Sequence, residues 1–416
     1  MARHGAESAP LEVTEGPQTP NEDVVVLDLT RVVSIPEGSK RTNGASEAAC
    51  RQVDAKLIAM EDERKRRDYR QLSEAGADEV EELVLSENEL SSLPGTVVRL
   101  FGTSSTLAAL ILDNNCFEQI PAELGVRSIF RELWVLSLRE NRIQSLPADL
   151  AERLPELRFL DLSGNFLRHI PQELEKLKSL EKLVLDRNQL RHVPGLPASS
   201  LVELSVVANP LEQLPSAVCS CGRLERLALA HCNLLDMPDS ASFPKMVVLN
   251  LSWNKLSELP GCLRNCSELK RLDLSHNALQ SLPDWFASSF PNLAELYLDS
   301  NQLVRLPDDF GTLTNLKKLS LVRNPELCAL PVSFRHLRLD EFDYEYGNLK
   351  QEGHLPHTYV QKALDPVFGQ EIADENARSH HRDSQEELRK SKREIVITRA
   401  RKTNTRRMRP FGCQQM

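Results

Sequence analysis

The chain of 416 residues has no unbroken apolar run long enough for a membrane-spanning helix, which needs about eighteen residues or more. Its start, MARHGAESAPLEV, lacks the apolar run of a secretory signal, so an intracellular, cytoplasmic protein is expected. Aromatic residues make up only 5%, too few for cores built around large rings. The nine cysteines are an odd number, scattered rather than clustered, which argues against the disulfide-sealed ends of a secreted domain. Neither CSC (Cys219, Cys221) nor CLRNC (Cys262, Cys266) has a partner pair at zinc-finger spacing, so no metal and no cofactor is expected. No G-x-S-x-G, P-loop, H-E-x-x-H or kinase-like set is present. The chain therefore reads as a non-enzyme.

What the chain has in abundance is leucine at fixed spacing. LKRLDLSHNALQSLP, from Leu269, has leucines at 269, 272, 274, 279 and 282, a pattern matching neither a helix nor a long strand. The same pattern begins at Val80, Leu107, Leu133, Leu157, Leu180, Leu201, Leu224, Met246, Leu269, Leu293 and Leu316, with a worn copy at Leu339. Intervals of 21 to 27 residues fall in the range of a leucine-rich repeat. The expected fold is an α/β leucine-rich repeat solenoid, a curved horseshoe of about twelve repeats over residues 80–348 with a parallel concave sheet. A buried leucine is worth roughly 1.5 to 3 kcal/mol, and the ordering entropy of the residues around it consumes most of that. No repeat could fold without neighbours.

Flanks complete the expected organisation. Residues 1–44 read as mostly disordered with a short strand at VVVLDLT, a degenerate repeat without its Asn. Residues 45–79 read as a helix whose stripe of Ala49, Val53, Leu57 and Met60 covers the first repeat as an N-terminal cap. Residues 349–416 read as a basic, largely disordered tail with a helix near Ser384. From Arg389 the tail carries ten Lys or Arg against one acid, Glu394, about +9. The whole chain is -9, which leaves about -18 on the remainder.

The Asn at the end of each strand, such as Asn141, Asn165, Asn188, Asn254, Asn277 and Asn301, is expected to satisfy the backbone where the strand turns. Cys232 takes its place in one repeat. Two departures, PGLPASS and NPELCALP, mark where a local bend is expected.

The motif L-x-x-L-x-L-x-x-N-x-L-x-x-L-P, with Pro94, Pro147, Pro171, Pro194, Pro215, Pro260, Pro283 and Pro307 after the last Leu, resembles the intracellular class of leucine-rich repeat found in Ras-suppressor-like and scribble-type proteins. That resemblance implies a protein-interaction scaffold without catalytic activity, in which small GTPases or phosphatases bind the concave face. The consensus residues are the buried ones, so partner choice must lie elsewhere.

The residue before each Asn gives, from the fifth repeat on, Arg187, Ala208, His231, Trp253, His276, Ser300, Arg323 and Tyr346. Tyr297, Asp299, Asp273, Asn250 and Asp186 stand beside them. A tryptophan between two histidines has the composition of a protein-binding hot spot. The partner-binding candidates are therefore Arg187, His231, Trp253, His276, Tyr297 and Arg323, on a monomeric chain. At about 4.8 Å per strand, His231 and His276 lie near 10 Å apart, a spacing that suits a contact surface better than a nucleophile and its base. An alternative rests on the tail. Cys413 stands fourth from the end before a terminal Met, as in a farnesylation signal, and the basic run upstream fits an anionic membrane, a nuclear signal, nucleic-acid phosphates, or a fold back onto the acidic end of the solenoid at Asp340, Glu341, Asp343 and Glu345. Aromatics do not interleave with the basic residues, which argues against base stacking.

Overall fold

The computed structural model of the protein describes residues 26–32, 43–67, 80–101, 107–125 and 130–344. Thirteen strands of three residues each form one open parallel sheet in strict sequence order. They are β1 Val26–Asp28, β2 Glu82–Val84, β3 Ala109–Ile111, β4 Val135–Ser137, β5 Phe159–Asp161, β6 Lys182–Val184, β7 Glu203–Ser205, β8 Arg226–Ala228, β9 Val248–Asn250, β10 Arg271–Asp273, β11 Glu295–Tyr297, β12 Lys318–Ser320 and β13 Glu341–Asp343. Register is carried by the central apolar residue. Leu249 pairs with Leu272, Leu272 with Leu296, Leu296 with Leu319, and Leu319 with Phe342. These residues, with Leu251, Leu274 and Leu298 two positions on, are essentially inaccessible to solvent. Each rung buries the next, as stacked repeats must.

On the opposite side of the rungs the chain returns through one long helix, α1 Asn43–Arg67, through short ones, α2 Gly95–Phe101, α3 Leu150–Arg153 and α4 Phe286–Ser289, or through tight 3-10 turns. Three of these returns carry a ladder of phenylalanines. Phe286, Phe310 and Phe334 stack at 6.2 and 6.1 Å between ring centres. Offset rings at that spacing add to the area they bury.

The Asn column holds the turns together. Asn141 Nδ2 donates to Leu138 O of its own rung at 3.0 Å and to Leu112 O of the rung before at 2.9 Å, while its Oδ1 accepts from Phe117 N at 3.0 Å. Asn165, Asn188, Asn254 and Asn301 repeat this arrangement. Cys232 can donate but makes no equivalent acceptor. Its Sγ reaches Val206 O at 3.2 Å, and Leu211 N, which the missing amide would have taken, turns back to Asn209 O at 2.9 Å. Burial pushes the Cys232 thiol up to about 12, so it stays protonated.

The sheet begins at β1, in register with β2. Rung 1 manages without its own Asn because each amide serves the rung before it. Asn88 of rung 2 donates to Leu29 O at 2.7 Å and accepts from Val32 N at 2.7 Å. The helix expected to cap the repeat at Val80 thus follows a further strand. It begins at Asn43 and lies beside α2, with Ala49, Val53 and Leu57 in the common core and Asp54 Oδ1 accepting from Thr96 N at 2.9 Å. At the short repeat PGLPASS the ladder continues through β7 unbroken. Gly195 explains how the shortened return fits: a Cβ there would come within 2.3 Å of Gln172 O, so only glycine allows that approach.

Candidate functional site

The residue before each Asn does not lie in a strand. It sits past the carboxyl end of the strand, in the turn, and its backbone is left-handed throughout, from Glu87 (φ 58°) through Arg187 (φ 52°), His231 (φ 56°), Trp253 (φ 56°) and His276 (φ 55°) to Arg323 (φ 57°). That conformation costs a non-glycine residue about 1 to 2 kcal/mol. It persists because it keeps the ladder running beyond the strand: Trp253 N donates to Ser275 O at 2.9 Å and His276 N to Asp299 O at 2.7 Å. Strand alternation alone would have placed these side chains within the sheet. The structure places them in a row along its carboxyl rim.

In this row His231, Trp253 and His276 form one stack. The Trp253 ring lies 4.7 Å from His231 and 3.7 Å from His276, tilted by 14° and 12°. Trp253 remains 44% exposed, the exposure of a ring covered on both faces and open at its edge. Burial within the stack lowers both imidazole pKa values; for His276 the nearby Arg323 charge adds to the effect. At neutral pH the stack is therefore uncharged, a flat surface with low desolvation cost.

The other candidates divide. Arg323 lies two rungs past His276, close enough to act on it electrostatically. Arg187 turns the other way and pairs with Glu140 two rungs back. Gly164, between them in the row at φ 66°, makes this possible, because a Cβ there would meet the Glu140 carboxylate at 2.7 Å. Ala208 separates Arg187 from His231, so Arg187 stands outside the stack. Tyr297 is a strand residue rather than a member of the row. Its hydroxyl contacts Glu295 Oε2 at 3.3 Å, and Arg271 lies over its ring at 5.4 Å. Burial first and then the Glu295 charge raise its pKa. Tyr346, Cys413, the helix near Ser384 and the basic tail lie outside the described residues.

Two acids beside the row are committed to the sheet. Asp299 accepts from Ser320 Oγ and from Val322 N at 3.0 Å in the next rung. Asp186 does the same with Ser205 Oγ at 2.5 Å and Val207 N at 2.8 Å. Burial pushes their carboxyls up to about 7 and about 6 against the pull of these bonds. For Asp299 the folded value lies above the ordinary value near 4. Its contribution to stability is therefore full below about pH 4 and is lost as pH rises toward 7. Asp299→Asn, which keeps the acceptor, is expected to leave thermal stability unchanged at pH 4 and to raise it at pH 8 by about 4 kcal/mol. Equal effects at both pH values would show that the buried charge is not the cause.

Sequence reasoning missed a second feature of the same sheet. Ala108, Ala109, Ile111, Trp134, Val135, Phe159 and Val184 form an apolar cluster separate from the main core. They stand at outward positions of β3 to β6 and just before these strands. A run of apolar residues at outward positions was the available signal. Among the described residues no group of three or more metal-ligating side chains occurs.

A leucine-rich repeat family model matches residues 131–190, 222–279 and 267–325. The chain is similar to the mouse PH domain leucine-rich repeat-containing protein phosphatase 1, 32% identical over 143 residues, which are 33% of this chain and 8% of that protein. It is also similar to the plant intracellular Ras-group-related LRR protein 8 of Oryza sativa subsp. japonica, 30% identical over 126 residues, 28% of this chain and 33% of that protein. Among solved structures it resembles the PEPR1-AtPEP1 complex, with 26% identity and a TM-score of 0.52 over 64% of this chain and 42% of that one. The chain spans only 8 to 36% of the length of the first curated relatives that it matches. Domains of this kind are in general protein-interaction modules, and the likeness to the phosphatase covers a small part of that protein.

Proposed function

We propose, for a chain that is a leucine-rich repeat protein, that it is a non-enzymatic scaffold whose protein partner seats on the strand side around His231, Trp253 and His276. The observation that carries this reading is the stack itself. Three rings from three successive rungs form a half-exposed, uncharged surface, and each is held in a strained left-handed turn. Strain that recurs in a row is accounted for by the ladder. The ladder does not, however, require rings there, since Ala208 and Ser300 occupy the same position in neighbouring rungs. The rings fit what a partner needs, a rigid aromatic anchor with a polar surround.

The Pro-ended 23-residue repeat and the likeness to a Ras-group-related protein support placing the chain with the Ras-suppressor and scribble-like class, in small-GTPase or phosphatase signalling. The free cysteines, with Cys221, Cys262 and Cys266 pushed up to about 11 or 12 by burial, support a reducing, cytoplasmic setting. Affinity capture with the full chain and with Trp253→Ala tests the reading. Partners present with the parent and absent with the variant are expected, and an unchanged set of captured proteins would end it.

A further inference from the structure

The row that carries the stack holds three arginines, Arg31, Arg187 and Arg323, and two glutamates, Glu87 and Glu140. Arg31 pairs with Glu87 of the next rung, and Arg187 with Glu140 two rungs back. Both glutamates are thereby engaged. Arg323, half-buried on rung 12, pairs with no acid among the described residues. The strand-side acids of rungs 10 and 11 are turned elsewhere. Asp273 accepts from Ser275 N at 3.0 Å and from Ser275 Oγ at 2.7 Å, Asp299 is held by Ser320 and Val322, and Glu295 lies 3.5 Å from Arg271.

The setting of Arg323 repeats that of Arg187. In each case the arginine stands two rungs from a row residue with one small residue between them, Gly164 for Arg187 and Ser300 for Arg323. The far wall differs. Glu140 closes the first gap with a carboxylate, whereas His276 closes the second with a ring that brings no negative charge. The ladder fixes the width of this second gap, because His276 N bonds Asp299 O and Ser300 N bonds Val322 O at 2.8 Å, which keeps the backbones of His276 and Arg323 about 10 Å apart. We propose that the partner supplies the missing acid, a Glu or Asp side chain seated over Ser300 between His276 and Arg323. Ser300 adds a hydroxyl donor there, and a carboxylate bonded to a guanidinium makes a stronger hydrogen bond than a neutral pair. The inference gives the chemistry of the partner and rests on the reading of the Trp253 stack as its seat. Trp253 and Ser300 are two rungs apart as well, about 10 Å. An extended segment rises about 3.3 Å per residue, so the acid stands about three residues from the side chain that covers Trp253.

The probe is a library of random dodecapeptides displayed on phage and selected on the full chain. Enriched peptides are expected to carry Asp or Glu about three residues from an aromatic or large apolar residue, and to lose binding to Trp253→Ala. For a synthetic peptide from that set, replacing its acid by the amide is expected to weaken binding to the parent chain about fivefold, and to Arg323→Gln by less than about twofold. Arg323→Lys, which keeps the charge, is expected to keep the preference for the acid, and it serves as the test should Arg323→Gln fail to fold. No enriched set, peptides that need Trp253 but carry no acid, or an equal cost of the amide on the parent and on Arg323→Gln would each overturn the inference. The last two results would leave the reading of the stack standing. Acidic peptides indifferent to Trp253→Ala would overturn both.

Discussion

Leu272→Ala is expected to lower the free energy of unfolding by about 3 kcal/mol, within the range measured for leucine truncation in closed cores. Leu272 is fully buried at the centre of β10, between Leu249 and Leu296 in exact strand register. Removing its side chain strips contacts from two neighbouring rungs at once, and three-residue strands cannot shift to fill the gap without breaking the Asn bonds on either side. The control is Leu235→Ala. Leu235 is 64% exposed, and its truncation is expected to change stability by less than about 0.5 kcal/mol. Urea titration of both variants checks the pair. A similar cost for both would mean that the leucine columns do not carry the fold.

Trp253→Ala is expected to weaken partner binding by about 30-fold or more, equivalent to roughly 2 kcal/mol, while the melting temperature moves little. Two properties separate these effects. The backbone at Trp253 is set by the bond from its N to Ser275 O, which alanine keeps, and alanine tolerates the left-handed turn no worse than tryptophan. The ring, by contrast, stacks on both His231 and His276, so its loss divides the surface in two. Calorimetric titration of a captured partner measures the change. His231→Ala is expected to cost less, because its ring lies at 4.7 Å from Trp253 rather than 3.7 Å.

Most of the ladder was legible in the sequence because leucine spacing reports directly on which residues face the neighbouring rung. The Asn column was legible for the same reason: a polar residue at a fixed place in a buried pattern needs a backbone partner. Rung 1 was legible in VVVLDLT as a strand and degenerate repeat, but not the source of its amide, which comes from rung 2 through Asn88. The rings at 231, 253 and 276 could be picked out by position, but their stack depends on a left-handed turn that no residue type announces, since Trp, His, Arg and Glu all adopt it here. Asp186 and Asp299 could be placed beside the row by position, but not their partners. Their bonds to Ser205 and Ser320 arise only once the rungs are stacked. The phenylalanine ladder was present in the sequence as DWF, DDF and VSF at 24-residue intervals, outside the motif that drew attention.

Hydroxyl-radical footprinting of the full chain, free and bound to a captured partner, tests the account most directly. Protection on binding is expected at Trp253, His231, His276 and Tyr297, with exposed Leu235, Val304 and Val332 reacting as before. Protection of those three with an unchanged Trp253 would contradict it.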